Sequence, residues 1–290
     1  MSKPVILVAL DGSAPSAVAL SVAEAMSEIQ QASLHLVHIA ENSPAAAEPA
    51  THLEPKGLGL ESLATQIREP AVEILKIADE IRPQMIIMRN YADAGSQNIL
   101  NSVATDVLRN TCCPLMLVTP ELGSAPWRLQ HVLVPHDGTP SNSAALRPVR
   151  EIAGHAGAEL LVLHVAGTSP VPAEPGSLMI PRYVDQPQHE WPAWSAEFIK
   201  RFVCICPLGN VQVRMLLAHG SPAAEINRSA NEQAMDLMVV AWQGVWTEPR
   251  AAILKELMAV ARCPIMVVRS PAARAPAGWT FGMSGWECDK

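Results

Sequence analysis

Two kinds of hydrophobic pattern alternate along this chain, and they alternate twice. Val5–Leu10 is an apolar run with no polar residue in it, and Val132–Val134 is another. Unbroken runs of this length read as strands buried on both faces of a parallel sheet. Each is followed by Asp-Gly, a hydroxyl residue and a helical pattern, near Ala14–Gln30 and Pro140–His155. Ser13 and Thr139 sit where an N-cap would, since their oxygens can accept from the first free helix amides. Leu34–Ala40 and Leu160–Ala166 are strand-like again. Glu61–Ile67 and Val211–Ala218 are read as the middle strand of each half. Pro70–Ile81 and Pro222–Gln233 read as helices with proline in the first turn, where its missing N–H costs nothing. Met85–Met88 and Leu237–Ala241 are short buried strands. Asn98–Asn110 and Arg250–Ala261 are the last helices, and Leu115–Thr119 and Ile265–Arg269 the last strands.

Alternating strands and helices require right-handed crossovers, hence a parallel sheet covered on both faces. The expected fold is α/β, with two doubly wound domains of five parallel strands each. The landmarks support a duplication. Asp11 and Asp137 stand as far apart as His38 and His164. Pro70-Ala-Val-Glu-Ile returns as Pro222-Ala-Ala-Glu-Ile, and Cys113-Pro-Leu-Met-Leu-Val as Cys263-Pro-Ile-Met-Val-Val, both after a central insertion. The period is too long for a solenoid and suits whole domains. The expected boundaries are 1–120 for the first domain, 121–128 for a linker, 129–270 for the second domain and 271–290 for a loosely held tail. Gly167–Pro192 is a proline-containing excursion, followed by an expected helix from Trp194 to Cys206.

At 290 residues each half can bury its own core. A net charge of −7 argues against nucleic-acid binding, which needs clustered Lys and Arg against phosphate. No apolar run reaches the roughly 18 residues of a membrane-spanning helix, and no charged-then-apolar leader opens the chain. The expectation is a cytoplasmic protein. The six cysteines lack paired zinc spacing. Cys113 and Cys263 beside strands read as small buried thiols.

These motifs together resemble the universal stress protein family in a tandem two-domain form. The resemblance rests on Ile6-Leu7-Val8 before Asp11-Gly12-Ser13, and on Val132-Leu133-Val134-Pro135 before Asp137-Gly138-Thr139. The strands at His38 and His164, the Pro-Ala-x-Glu-Ile segments and the Cys-Pro ends complete it. The family implies a doubly wound fold, and in many members an ATP site at the carboxyl ends of the strands, where open α/β sheets take ligands. It implies a phosphate loop of the form G-x2-G-x9-G-(S/T), because only glycine lets backbone N–H groups close on a polyphosphate.

That loop is broken in both halves. In the first, Asn101-Ser102 replaces Gly-Ser, and Arg89 and Ala92 stand near the earlier glycine positions. In the second, Ala251-Ala252 replaces Gly-Ser, and only Gly244 remains in a shortened loop that carries Trp242 and Trp246. The implied reading is a non-enzymatic stress-response or regulatory module whose ATP affinity is lost or weakened. The alternative is an ATP or AMP switch in the first domain only, using Asp11, Ser13, Arg89, Asn101 and Ser102. Asp137, Thr139 and Gly244 are the corresponding candidates in the second.

Each candidate has a plainer reading. Asp11 and Asp137 as ligand acceptors compete with Asp-Gly as turn formers. Ser102 competes with helix capping, and Arg89 as an anion contact with an ordinary surface arginine. His38 and His164 read as core or strand-end histidines, with no nucleophile recurring beside both. His35, His131, His136 and His219 have no repeated ligand spacing, so no metal is expected. Trp242 and Trp246, with Trp191 and Trp194, read as loop packing before they read as a filled cleft or a partner-binding surface. Pseudo-twofold packing of the repeats through their last strands, and a homodimer of the whole chain, complete the expectations.

Overall fold

The computed structural model describes residues 3–10, 17–39, 60–66, 69–89, 102–119, 122, 126–139, 141–166, 196–197, 200, 209–246, 249–270, 279–282 and 285–288. Asp11, Ser13 and Asn101 lie outside them, as do residues 167–192 and most of 194–206. The described chain forms two compact units. The first comprises Met1–Arg128, Met258–Val267 and Arg274–Lys290, and the second Leu129–Leu257 and Val268–Ala273.

In the first unit the elements are β1 (Val5–Leu10), α1 (Ala17–Gln30), β2 (Ser33–Ile39), β3 (Leu60–Gln66), α2 (Pro70–Ile81), β4 (Met85–Arg89), α3 (Ser102–Asn110) and β5 (Leu115–Val118). The strand order is β3-β2-β1-β4-β5, parallel throughout. β1 lies between β2 and β4, so Ile6 to Leu10 are all buried, as an unbroken apolar run requires. β3, third in sequence, is the edge of this order and not its centre. α2 buries Ala71, Ile74, Ile77 and Ala78, an i, i+3, i+4 stripe, and starts at Pro70 as its sequence predicts.

The second unit repeats the plan with β6 (His131–Pro135), α4 (Leu146–Ala156), β7 (Glu159–Ala166), β8 (Val213–His219), α5 (Pro222–Glu232), β9 (Leu237–Trp242) and α6 (Pro249–Val260). Its order is β9-β6-β7-β8, again parallel. The helix expected from Pro140 differs in its start. Ser141–Ala145 is a 3-10 helix, and the α-helix begins only at Leu146. Ser141, Asn142 and Ser143 explain this, because short polar side chains compete for nearby backbone groups. Ser143 Oγ donates to the Thr139 carbonyl at 3.4 Å.

β10 (Ile265–Arg269) departs from the expectation of purely parallel sheets. Ile265–Val267 pair antiparallel with β5, so the sheet of the first unit is mixed. The register is symmetric: Met116 faces Met266, and Leu115 and Leu117 face Val267 and Ile265. Each Met occupies the same position after its Cys-Pro, so the pair is centred on one repeat position. The pairing covers an edge of β5 whose N–H and C=O groups would otherwise be free. Within the tail, β11 (Trp279–Gly282) and β12 (Gly285–Cys288) pair antiparallel with each other.

Candidate functional site

The carboxyl ends of β6 and β9 are the place to look for a site in the second unit. The chain leaves β6 toward β7 and returns on the other side at β9, which makes the β6–β9 boundary a switch point. Three residues follow β6 directly. His136 is buried, and its backbone N–H donates to the Leu163 carbonyl at 2.8 Å, tying it to β7. Asp137 Oδ1 accepts from the Thr139 amide at 3.0 Å and from the Thr139 hydroxyl at 2.6 Å. This is an Asx turn, closed by the aspartate on its own chain. Gly138 has φ +83°, and its amide donates to His136 Nδ1 at 3.0 Å. Thr139 is buried and directs its hydroxyl to Asp137, so its oxygen is engaged in the turn before any helix begins.

Two histidines organise the floor of this turn. His164 Nδ1 donates to the His136 carbonyl at 2.9 Å. Burial holds its imidazole below the usual pKa of 6.5, against weaker raising effects from that hydrogen bond and from Asp137. His38, its first-repeat counterpart, is also buried. Both are strand histidines, as their setting in apolar runs suggests.

The end of β9 carries the remnant of the glycine-rich loop. Trp242 belongs to the strand, where an aromatic residue fits a buried pleat, and only 2% of it is exposed. Its carbonyl accepts from the Ser270 amide at 2.8 Å. Gln243 Nε2 donates to Ser141 Oγ at 2.8 Å, a latch from the end of β9 to the 3-10 helix that follows β6. Gly244 has φ +85°. A Cβ there would fall 2.8 Å from Arg269 Cζ and 2.9 Å from its Nε. The space opened by the missing side chain is therefore filled by a guanidinium. That guanidinium stands 5.6 Å from the centre of the Trp242 ring. Trp242 meets Trp246 edge to face at 5.4 Å, and Lys255 Nζ lies 4.6 Å above the Trp246 ring. The result is a pair of indoles across the loop with a cation at each end.

In the first unit the described residues place two candidates. Arg89, half-buried, ends β4, and Ser102 opens α3. Among the described residues no group of three or more His, Cys, Asp or Glu is placed to hold a metal. No described helix is long and apolar enough to cross a membrane. Sequence reasoning missed the roles of His136, Gln243 and Arg269. A histidine directly before Asp-Gly was the one local signal for the first, and nothing local pointed to the other two.

The profile of the universal stress protein family matches residues 59–119 and again 128–269, more than half of the chain. The chain belongs to the universal stress protein family. Universal stress proteins are non-catalytic regulatory modules. Among curated proteins the chain is similar to universal stress protein YxiE of Bacillus subtilis (strain 168), 27% identical over 150 residues. That match spans 48% of this chain and 97% of the relative. Among solved structures it resembles a functionally unknown protein from Pseudomonas aeruginosa PAO1, with TM-score 0.64, 18% identity and 93% of each chain covered. A universal stress protein from Archaeoglobus fulgidus DSM 4304 gives TM-score 0.60 at 15% identity, covering 92% of this chain and 96% of that one. At such identities these structures speak for the fold alone.

Proposed function

We propose that this universal stress protein is a tandem fusion of two family domains, 1–120 and 129–270, joined by residues 121–128. It acts as a non-enzymatic stress-response or regulatory module through its contacts with a protein partner. The matched register of β5 and β10, centred on Met116 and Met266, supports the reading of two fused copies.

The observation that carries the proposal is the use made of Gly244. In a phosphate loop a glycine brings backbone N–H groups up to an anion. Here the space beside it belongs to Arg269, the adjoining Trp242 is buried, and Gln243 is latched to Ser141. A triphosphate at this end of the second unit would have to displace all three. Asp137 and Thr139, which would face the ligand, satisfy each other. ATP affinity is therefore lost in the second domain.

A second reading, an ATP or AMP switch confined to the first domain, is favoured by Arg89 at the end of β4 and Ser102 at the start of α3. A guanidinium and a helix N-terminus suit an anion. Calorimetric titration with ATP and with AMP separates the two readings. The scaffold reading expects no heat at ligand concentrations up to about a millimolar. Micromolar binding abolished by Asp11→Ala, and left intact by Asp137→Ala, would replace it with the first-domain switch.

A further inference from the structure

His136 is bonded through its backbone N–H, its carbonyl and both ring nitrogens, and the directions of the ring bonds settle its protonation. Nδ1 accepts the Gly138 amide at 3.0 Å, so in this arrangement it carries no proton. The neutral ring then bears its proton on Nε2, which donates to Ser143 Oγ at 3.4 Å. Ser143 in turn donates to the Thr139 carbonyl at 3.4 Å. The carbonyl of His136 accepts from His164 Nδ1 at 2.9 Å. One imidazole thus holds both Gly138 and Ser143, and the 3-10 helix that carries Ser143 also carries Ser141, the partner of Gln243.

We propose that His136 is a proton-operated clamp on the turn after β6. Protonation of Nδ1 turns the acceptor of the Gly138 amide into a second donor, so the two N–H groups face each other and the turn opens. Release of the turn frees the Asp137 carboxylate from Thr139 and loosens the 3-10 helix with its latch to Gln243. The second unit then passes from a closed strand-end to an open one as pH falls.

Asp137, on the same segment, is the charged group next to His136 in the chain, and its Oδ1 is held by Thr139. His164 on β7, itself influenced by His219 at the end of β8, is the titratable group in contact with His136, while the 3-10 helix brings the uncharged Ser143 and the end of β9 the uncharged Gln243. Burial disfavours protonation of His164, whose Nδ1 donates to the His136 carbonyl from below. The clamp is independent of what the first domain binds.

The test is amide hydrogen exchange of the full chain between about pH 7.5 and pH 5, corrected for the intrinsic pH dependence of exchange. In the wild type, exchange at Gly138 and over Ser141–Ala145 rises at least about fivefold on acidification, the loss of one hydrogen bond. His136→Asn places an amide oxygen where Nδ1 accepts and cannot be protonated in this range, so its exchange stays flat. A flat wild type, or the same rise in His136→Asn, overturns the proposal. If that variant does not fold, the wild-type ring nitrogens are followed by NMR. A shared midpoint for Nδ1 protonation and Gly138 exchange supports the clamp. Protonation with unchanged Gly138 exchange refutes it.

Discussion

Gly244→Ala is the sharpest probe of how the second unit is built. A non-glycine residue at φ +85° carries strain of about 1 kcal/mol or more. The new methyl would also overlap Arg269, whose Cζ lies 2.8 Å from its position. The guanidinium must then leave the Trp242 face, losing a cation–π contact of roughly 1 kcal/mol. Together these predict a loss of about 2–3 kcal/mol. Arg269→Ala alone forfeits the contact and costs about 1 kcal/mol. The double variant retains the strain and has no overlap, so its cost is about 2 kcal/mol and falls short of the sum by 1–2. Urea denaturation followed by tryptophan fluorescence measures all four corners of this cycle. Additivity within about 0.5 kcal/mol would refute the idea that Gly244 exists to admit Arg269. It would also reopen the loop to a phosphate-binding role.

Acid stability gives a second expectation. His164 is held neutral in the fold below the 6.5 of an exposed histidine, so the unfolded chain binds more protons as pH drops. Its contribution is therefore complete above pH 6.5 and is lost on acidification, at up to about 1.4 kcal/mol per pH unit. A stability–pH profile of His164→Gln should be flatter in that window than the wild type. Asp236 Oδ2 accepts the amides of Gln130 and His131, both at 2.8 Å, where the chain enters β6. Asp236→Ala should cost about 1–3 kcal/mol in chemical denaturation, and Asp236→Asn clearly less. Burial pushes the Cys113 thiol up to about 12, and its Sγ donates to the Pro83 carbonyl at 3.3 Å. Alkylation followed by mass spectrometry should leave Cys113 unlabelled in the native protein at about pH 8 and label it after unfolding.

The elements were legible in the chain wherever a local period decided them. The run Val5–Leu10 is β1, and the stripe behind Pro70 is α2, with the bounds the pattern assigns. The order of landmarks pointed to the family, and the family profile bears that out. Trp242 was assigned to the loop by its position after an apolar run. The fold gives it to β9, since burial beside a neighbouring strand outweighs its place in the local pattern.

What governs the second strand-end was not legible, and the reason is range. Hydrophobic periodicity reports which face of an element is buried over a few residues. It carries no information on which distant side chain meets a given glycine. Arg269 reaches Gly244 because β10 ends where the loop after β9 begins, and Gln243 reaches Ser141 because β9 lies beside β6. The antiparallel register of Met266 on Met116 is likewise a tertiary decision. Sequence by itself determined most of the strands and helices and the family. Only the tertiary structure decided that the surviving glycine admits an arginine, and that Gln243 meets the Ser141 hydroxyl beyond a neighbouring strand.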